Sequence, residues 1–197
     1  MPALIYIHGF LSSPLSHKAQ RVKQWLTDNR PEIHYHCPHL TPYPQEVCPL
    51  LEALVESLLP QPVYLIGSSL GGYWATYLVE KYNVSAVIIN PLAEPGRLIP
   101  AYKDMPLKNY HTDHVYQLDE SHVQALMAID TPQIKRLDNY WLMVQTNDQT
   151  LDYRPAVKKY SGCKQLVEQG GDHSFVGFDN WLGEIMNFFD NFTHSRL

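Results

Sequence analysis

The sequence predicts an α/β fold: one domain with a mostly parallel sheet of about six strands and helices on both faces. Short apolar runs of strand length alternate with segments whose apolar residues recur at helical spacing. The run at residues 3–7 is continuously apolar, as expected of a parallel strand that is covered on both faces. Since each crossover between parallel strands returns over a face of the sheet, this alternation indicates a doubly wound sheet. A length of 197 residues, 45% of them apolar, suits a single domain.

The first half of the chain contains four predicted strands and three predicted helices. After the first strand, an apolar face over residues 19–26 predicts a helix that stops before Arg30-Pro31. Weak alternation predicts a second strand, and the later apolar runs predict two more. The helix after the third strand has a plausible end at Asn83. The strands are expected at residues 3–7, 33–37, 63–66 and 86–89, and the second and third helices at 47–58 and 70–82.

The second half begins with an irregular insert, which we place at about residues 91–137. It contains five prolines and many polar and tyrosine residues, and a helical pattern returns only near residues 122–129. A segment this long inside a compact domain is usually functional, so we expect a lid or a substrate pocket. Regular alternation then resumes. It predicts strands at 140–144 and 164–168, and helices at 154–160 and 181–192.

Bulk composition excludes several classes of partner. The formal charge is −5 and lysine and arginine form no run, so no electrostatic footprint for nucleic acid or anionic membrane is present. No apolar segment approaches the roughly 18 residues that span a bilayer, and the first residues lack a signal-peptide pattern. The three cysteines form no C-x-x-C pair. We therefore expect a cytoplasmic protein that acts on a small molecule.

The strongest motif is Gly-x-Ser-x-Gly at residues 67–71, directly after an apolar run. The pentapeptide alone occurs by chance in roughly one chain in fifteen of this length, so its context between a strand and a helix carries the prediction. Such a nucleophile elbow holds its serine, here Ser69, in a strained conformation that requires the flanking Gly67 and Gly71. The elbow and the strand–helix alternation together predict a compact α/β-hydrolase core.

Two further side chains complete a predicted catalytic triad. A serine hydroxyl needs a base, and in this fold the base follows the last strand and precedes the last helix, where His173 lies. The carboxylate that orients the histidine belongs after the fifth strand. Asp148 is favoured there, while Asp152 is expected to cap the next helix. The chain order Ser69, Asp148, His173 is that of α/β-hydrolases.

An oxyanion hole is predicted from two backbone N–H groups. The Leu70 N–H follows the nucleophile at a helix N-terminus, where the helix dipole favours negative charge. The Phe10 N–H comes from the loop after the first strand, where Gly9 allows close approach to the substrate. His8 is expected to brace this loop rather than to transfer protons.

A metal site is a weaker hypothesis. His34, His36 and His39 lie on or just after the second strand, and imidazoles on one face of a strand can bind a metal. The segment lacks a convincing carboxylate or a second cysteine, so a solvated strand end is the favoured interpretation. His111 and His114 give a weaker signal still. The phosphate-binding and dinucleotide-binding glycine motifs are absent from the sequence.

Nearly the whole chain also resembles the YqiA-type small bacterial esterases of the α/β-hydrolase superfamily. The segments that carry the resemblance are Tyr6-Ile7-His8-Gly9-Phe10, Gly67-Ser68-Ser69-Leu70-Gly71-Gly72, Asn90-Pro91, residues 148–153 and Glu168-Gln169-Gly170-Gly171-Asp172-His173-Ser174-Phe175. The resemblance implies hydrolysis of acyl esters or thioesters without a cofactor. It also implies that Ser69, Asp148 and His173 occupy the triad positions.

The leading hypothesis is therefore a cytoplasmic serine hydrolase that forms an acyl-enzyme on Ser69. A noncatalytic binding module with the same fold is one alternative. A hydrolase with the same triad that performs transacylation or C–C bond cleavage is another, since all three reactions use the same residues. The sequence predicts neither the acyl chain length, the leaving group nor the oligomeric state.

Overall fold

A six-stranded, entirely parallel sheet forms the centre of the protein. The computed structural model describes residues 1–196, apart from the side chains of residues 97 and 98. The strands are β1 (Ala3–Ile7), β2 (His34–His36), β3 (Val63–Ser68), β4 (Ser85–Ile89), β7 (Tyr140–Gln145) and β8 (Lys164–Glu168). Their order across the sheet is β2-β1-β3-β4-β7-β8. The predicted parallel sheet of about six strands is confirmed.

Helices cover both faces of this sheet. They are α1 (His17–Asn29), α2 (Pro44–Leu58), α3 (Leu70–Tyr82), α4 (Pro95–Leu98), α5 (Glu120–Ala128), α6 (Tyr153–Lys159) and α7 (Leu182–His194). Ile5 and Leu65 belong to the core that includes side chains of α2, α3 and α6. Their strand neighbours Leu4 and Ile66 belong to a second core with α1 and α7. Because neighbouring residues of a strand face opposite sides, two buried faces require the continuously apolar strands seen in the sequence.

Most predicted elements lie within a few residues of their observed positions. The second strand is shorter than the predicted 33–37, and α2 begins three residues before the predicted start at 47. Pro44 occupies the first turn of α2, a position that proline tolerates because its missing N–H has no partner there anyway. Asn83 ends α3 in the left-handed conformation, as predicted.

The insert is more ordered than the sequence indicated. Besides the expected helix α5, it contains an antiparallel hairpin of β5 (Pro106–Lys108) and β6 (Val115–Gln117), which the sequence analysis missed. Each of these strands has only three residues, too few for alternation to stand out from chance. Leu107 and Leu118 are buried and join the same core as α2 and α3. The insert therefore packs on one face of the domain.

Two further features concern the helices and the cysteines. Among residues 1–196, no helix is both long and apolar enough to cross a membrane. The three cysteines, Cys37, Cys48 and Cys163, are free thiols.

Candidate active site

Ser69 lies at the sharp turn between β3 and α3. Its φ of +57° and ψ of −122° are a strained conformation for a residue with a side chain. A Cβ on Gly67 would overlap the backbone of Gly71, and a Cβ on Gly71 would overlap the carbonyl oxygen of Ile7. Only glycine fits at both positions, which is the steric requirement predicted for a nucleophile elbow.

His173 connects Ser69 to Asp148. Its Nε2 lies 3.2 Å from Ser69 Oγ, and its Nδ1 lies 2.7 Å from Asp148 Oδ2. A carboxylate only accepts, so in the neutral imidazole the hydrogen is on Nδ1 and donates to Asp148. Nε2 then carries the lone pair that accepts the hydrogen bond from the hydroxyl of Ser69. The structure therefore brings together the three residues that the sequence predicted for this site.

The Asp148 carboxylate is fixed on both oxygens. Oδ2 faces His173, and Oδ1 accepts hydrogen bonds from the main-chain N–H groups of Thr150 and Leu151, both at 2.8 Å. The side chain is only 1% exposed. Asp152, the sequence alternative, caps α6 instead and accepts from the N–H of Arg154 at 3.0 Å.

The loop after β1 passes directly beside the serine. A Cβ on Gly9 would lie 3.1 Å from Ser69 Cβ, so this close approach favours glycine. The Gly9 carbonyl accepts from the N–H of Ser12 at 3.2 Å and from His8 Nδ1 at 3.0 Å. Because the peptide is planar and trans, these bonds also fix the opposite direction of the Phe10 N–H. In the described part of the chain, the N–H groups of Phe10 and Leu70 donate to no other residue.

His8 is buried and holds a single neutral tautomer. Its Nε2 accepts from the N–H of Leu40 at 3.0 Å, so its hydrogen lies on Nδ1 and donates to the Gly9 carbonyl. Burial lowers the pKa of His8 to about 4. These contacts are those of a brace for the loop that carries Phe10.

A cavity of about 910 Å³ opens over Ser69 and His173. Aromatic rings line part of it, and Tyr102 and Tyr110 reach it from the insert. The ring of Tyr102 lies 5.2 Å from that of Phe10, centroid to centroid. The insert therefore contributes part of the wall of the pocket.

The contacts of His36 and His39 bear on the weaker hypothesis of a metal site. The ring of His39 lies 5.9 Å from that of His8 and 6.1 Å from that of His114. The Nε2 of His36 is buried without a hydrogen-bond partner among the described residues, and burial lowers the pKa of this side chain. Within residues 1–196, no group of three or more His, Cys, Asp or Glu side chains is arranged to hold a metal ion.

Sequence reasoning missed one polar residue beside the site. Gln145 ends β7 and is buried, with hydrogen bonds to the loop that carries His173. Asn90, part of the Asn90-Pro91 pair that carries the family resemblance, contacts the same loop. The available signal was a polar residue at the end of an apolar strand.

The parallel sheet, the elbow after β3 and the helices on both faces define an α/β-hydrolase fold. The family model described as uncharacterised protein family UPF0227 matches residues 3–190. The chain therefore belongs to this YqiA-like family, and the predicted resemblance is confirmed.

Several solved structures share the fold at low sequence identity. A putative hydrolase from Agrobacterium vitis S4 superposes with a TM-score of 0.77 at 15% identity, covering 95% of this chain and 88% of that one. The mouse α/β hydrolase domain-containing protein 10 superposes with a TM-score of 0.73 at 16% identity, covering 96% of this chain and 90% of that one. Est1E from Butyrivibrio proteoclasticus with bound ferulic acid superposes with a TM-score of 0.71 at 15% identity, covering 97% of this chain and 89% of that one.

Proposed function

We propose that this protein is a serine hydrolase that cleaves carboxylic esters or acyl thioesters of small molecules. The observation that carries the proposal is the continuous hydrogen-bonded line from Ser69 Oγ through His173 to Asp148 Oδ2, beneath an open cavity. A hydroxyl with a base in contact and an orienting carboxylate behind that base is the arrangement that nucleophilic acyl transfer needs.

In the proposed reaction, Ser69 Oγ forms a bond to the substrate carbonyl carbon while its proton passes to His173 Nε2. The carbonyl oxygen becomes an oxyanion, which the Phe10 and Leu70 N–H groups stabilise. The bond to the leaving alcohol or thiol then breaks, and His173 returns the proton to that leaving group. A water molecule repeats the sequence on the acyl-enzyme, releasing the acid and restoring the hydroxyl. Asp148 keeps the imidazole oriented and stabilises its protonated form.

Two further observations support this proposal. The family resemblance implies esterase chemistry at the same three positions, and solved structures of similar fold include one that is named as an esterase domain. We also propose the cytoplasm as the compartment, and the free cysteines support it because disulfides are rare there.

Active-site labelling tests the nucleophile. A fluorophosphonate probe is expected to label the wild type and the Ser68→Ala variant but not Ser69→Ala, because Ser69 is the serine whose Oγ lies 3.2 Å from His173 Nε2. Equal labelling of wild type and Ser69→Ala would remove the proposal. Saturable ligand binding with no turnover would instead favour a noncatalytic module.

A substrate panel tests the reaction class. Esters and acyl thioesters graded by chain length, with Ser69→Ala as control, are expected to show Ser69-dependent release of the free acid. For a short-chain p-nitrophenyl ester, the rate should fall at acidic pH, because the proposed mechanism needs an unprotonated base. A rate that stays constant down to acidic pH contradicts base catalysis by His173.

A further inference from the structure

The loop that carries His173 is tied to the sheet by two buried amides that the proposed mechanism does not use. Asn90 follows β4 and Gln145 ends β7, and these two strands are neighbours. Each residue is only 3% exposed. Both lie at the carboxyl edge of the sheet, where the loop after β8 passes.

Asn90 binds the main chain at the histidine itself. Its Nδ2 donates to the carbonyl oxygens of Asp172 at 3.0 Å and His173 at 3.2 Å. Its Oδ1 accepts from the main-chain N–H of Gln145 at 3.0 Å. The two N–H donors and the carbonyl of this amide are therefore all engaged, and they link the end of β7 to the histidine loop.

Gln145 binds the same loop on both sides of the histidine. Its Oε1 accepts from the N–H groups of Asp172 at 3.1 Å and Val176 at 2.8 Å. Its Nε2 donates to the carbonyl of Val176 and to Oε2 of Glu168, both at 2.8 Å. The buried side chain of Gln145 thus binds both ends of the segment from 172 to 176, and His173 lies between those ends.

The shape of the loop matches these contacts. Gly171 has a φ of +69°, and a Cβ there would overlap the Gln145 side chain, so only glycine lets the amide reach the loop. Lys18 Nζ donates to the Ser174 carbonyl at 2.7 Å. Three successive carbonyls, at positions 172 to 174, are therefore each bound by a side-chain donor. A loop outside regular secondary structure depends on such contacts for its position.

We propose that Asn90 and Gln145 are positioning residues that hold the main chain around His173, so that its imidazole lies between Ser69 and Asp148. This inference rests on the proposed function. A misplacement of about 1 Å at a reacting group can lower a rate by about 100-fold. Loss of either amide should therefore affect turnover far more than substrate affinity.

The test uses Asn90→Gly and Gln145→Met. Asn90 has a φ of +39°, and glycine adopts this conformation without strain, so the first variant deletes the amide with least disturbance of the backbone. Methionine keeps most of the volume of Gln145 and removes its hydrogen bonds. With p-nitrophenyl acetate, each variant is expected to lower kcat by about 30-fold to 100-fold while KM changes by less than about threefold.

A matched control exists at the opposite edge of the same two strands. Asn139 is 2% exposed and precedes β7, and its Nδ2 donates to the carbonyl of Val84, just before β4, at 2.8 Å. Asn139→Ala removes comparable buried hydrogen bonds far from the histidine loop. Its kcat is expected to stay within about twofold of wild type.

A double-mutant cycle separates positioning from general damage. In a His173→Ala background, Asn90→Gly is expected to leave the residual rate unchanged, because a residue that acts through His173 has nothing left to position. If Asn90→Gly lowers that residual rate by the same factor as in the wild type, the proposal is overturned. It is also overturned if Asn90→Gly and Gln145→Met both keep kcat within threefold.

A measurement without substrate keeps the inference separate from the proposed reaction. The Nδ1–H of His173 donates to Asp148 and should give a far-downfield proton resonance in NMR spectra. We expect Asn90→Gly and Gln145→Met to broaden or abolish this resonance, and Asn139→Ala to retain it. An unchanged resonance in both positioning variants contradicts the inference. Failure of wild-type hydrolysis, with the resonance still sensitive to these variants, would remove only the proposed function.

Discussion

Replacing Asp148 by Asn should invert the proton arrangement of the site while preserving its shape. Oδ1 of Asp148 accepts from two main-chain N–H groups, those of Thr150 and Leu151, each at 2.8 Å. The amide oxygen of Asn would keep this position, so its NH₂ would face His173 Nδ1. Since NH₂ only donates, Nδ1 must become the acceptor and the imidazole hydrogen moves to Nε2. Nε2 faces Ser69 and can then no longer take the hydroxyl proton.

The expected magnitude is large. The same wrong-tautomer change in a Ser-His-Asp enzyme of another fold lowers kcat by about 10⁴-fold. At about 1.36 kcal/mol per tenfold change in rate, this corresponds to about 5 kcal/mol of lost transition-state stabilisation. Steady-state hydrolysis of p-nitrophenyl acetate measures the effect. Thermal unfolding of Asp148→Asn should stay close to wild type, because both main-chain hydrogen bonds to the side chain are retained.

Asp152→Asn is the matched control. Asp152 caps α6, and Asn is about as good a helix N-cap as Asp, so kcat should change by less than about twofold. A kcat for Asp148→Asn within tenfold of wild type, with labelling that still depends on Ser69, would contradict the proposed role of Asp148. A large loss in Asp152→Asn with little loss in Asp148→Asn would assign the carboxylate to the other residue.

Three further predictions follow from burial and backbone geometry. Gly71→Ala should lower the free energy of unfolding by at least about 2 kcal/mol in urea titrations, because its Cβ overlaps the Ile7 carbonyl. As its matched control, Gly183→Ala, in α7 with open space around it, should be neutral or stabilising by up to about 1 kcal/mol. His8 is buried neutral with a pKa of about 4, so unfolding takes up a proton as pH falls below about 6.5. The free energy of unfolding should therefore fall by about 2 kcal/mol between about pH 7 and pH 5 because of His8. The His8→Gln variant should lack this pH dependence. Phe10→Ala should raise KM more than it lowers kcat, because the proposed oxyanion donor is the backbone N–H and only the ring is removed.

The local parts of this structure could be predicted because their signals are local. Continuous apolar runs mark parallel strands, and the glycines at 67 and 71 mark the turn at Ser69 within five residues of sequence. His173 and Asp148 lie far from Ser69 along the chain, but the carboxyl ends of parallel strands meet at one edge, so chain order alone placed them near each other.

The hairpin in the insert and the contacts of Gln145 carry no comparable signal. Strands β5 and β6 are three residues long, and the buried Leu107 is held by packing on a core that is distant in sequence. In the sequence, Gln145 is one polar residue at the end of a strand. Its role depends on contacts with Gly171 and Asp172, which only the folded chain brings close to it. Both depend on tertiary neighbours, which neither propensity nor periodicity records.

Asn90 and Asn139 show why position relative to the sheet decides what a buried amide does. Both bridge the strands β4 and β7, and both are almost fully buried. Asn139 lies at the amino edge, where its Oδ1 accepts from Arg196 near the end of the chain, 3.1 Å away. Asn90 lies at the carboxyl edge, where the partner is the loop of His173. A buried asparagine amide thus contacts Arg196 at the amino edge of the sheet, and at the carboxyl edge it holds the loop of the proposed base. Substitution of Asn139 should therefore affect stability, whereas substitution of Asn90 should affect turnover.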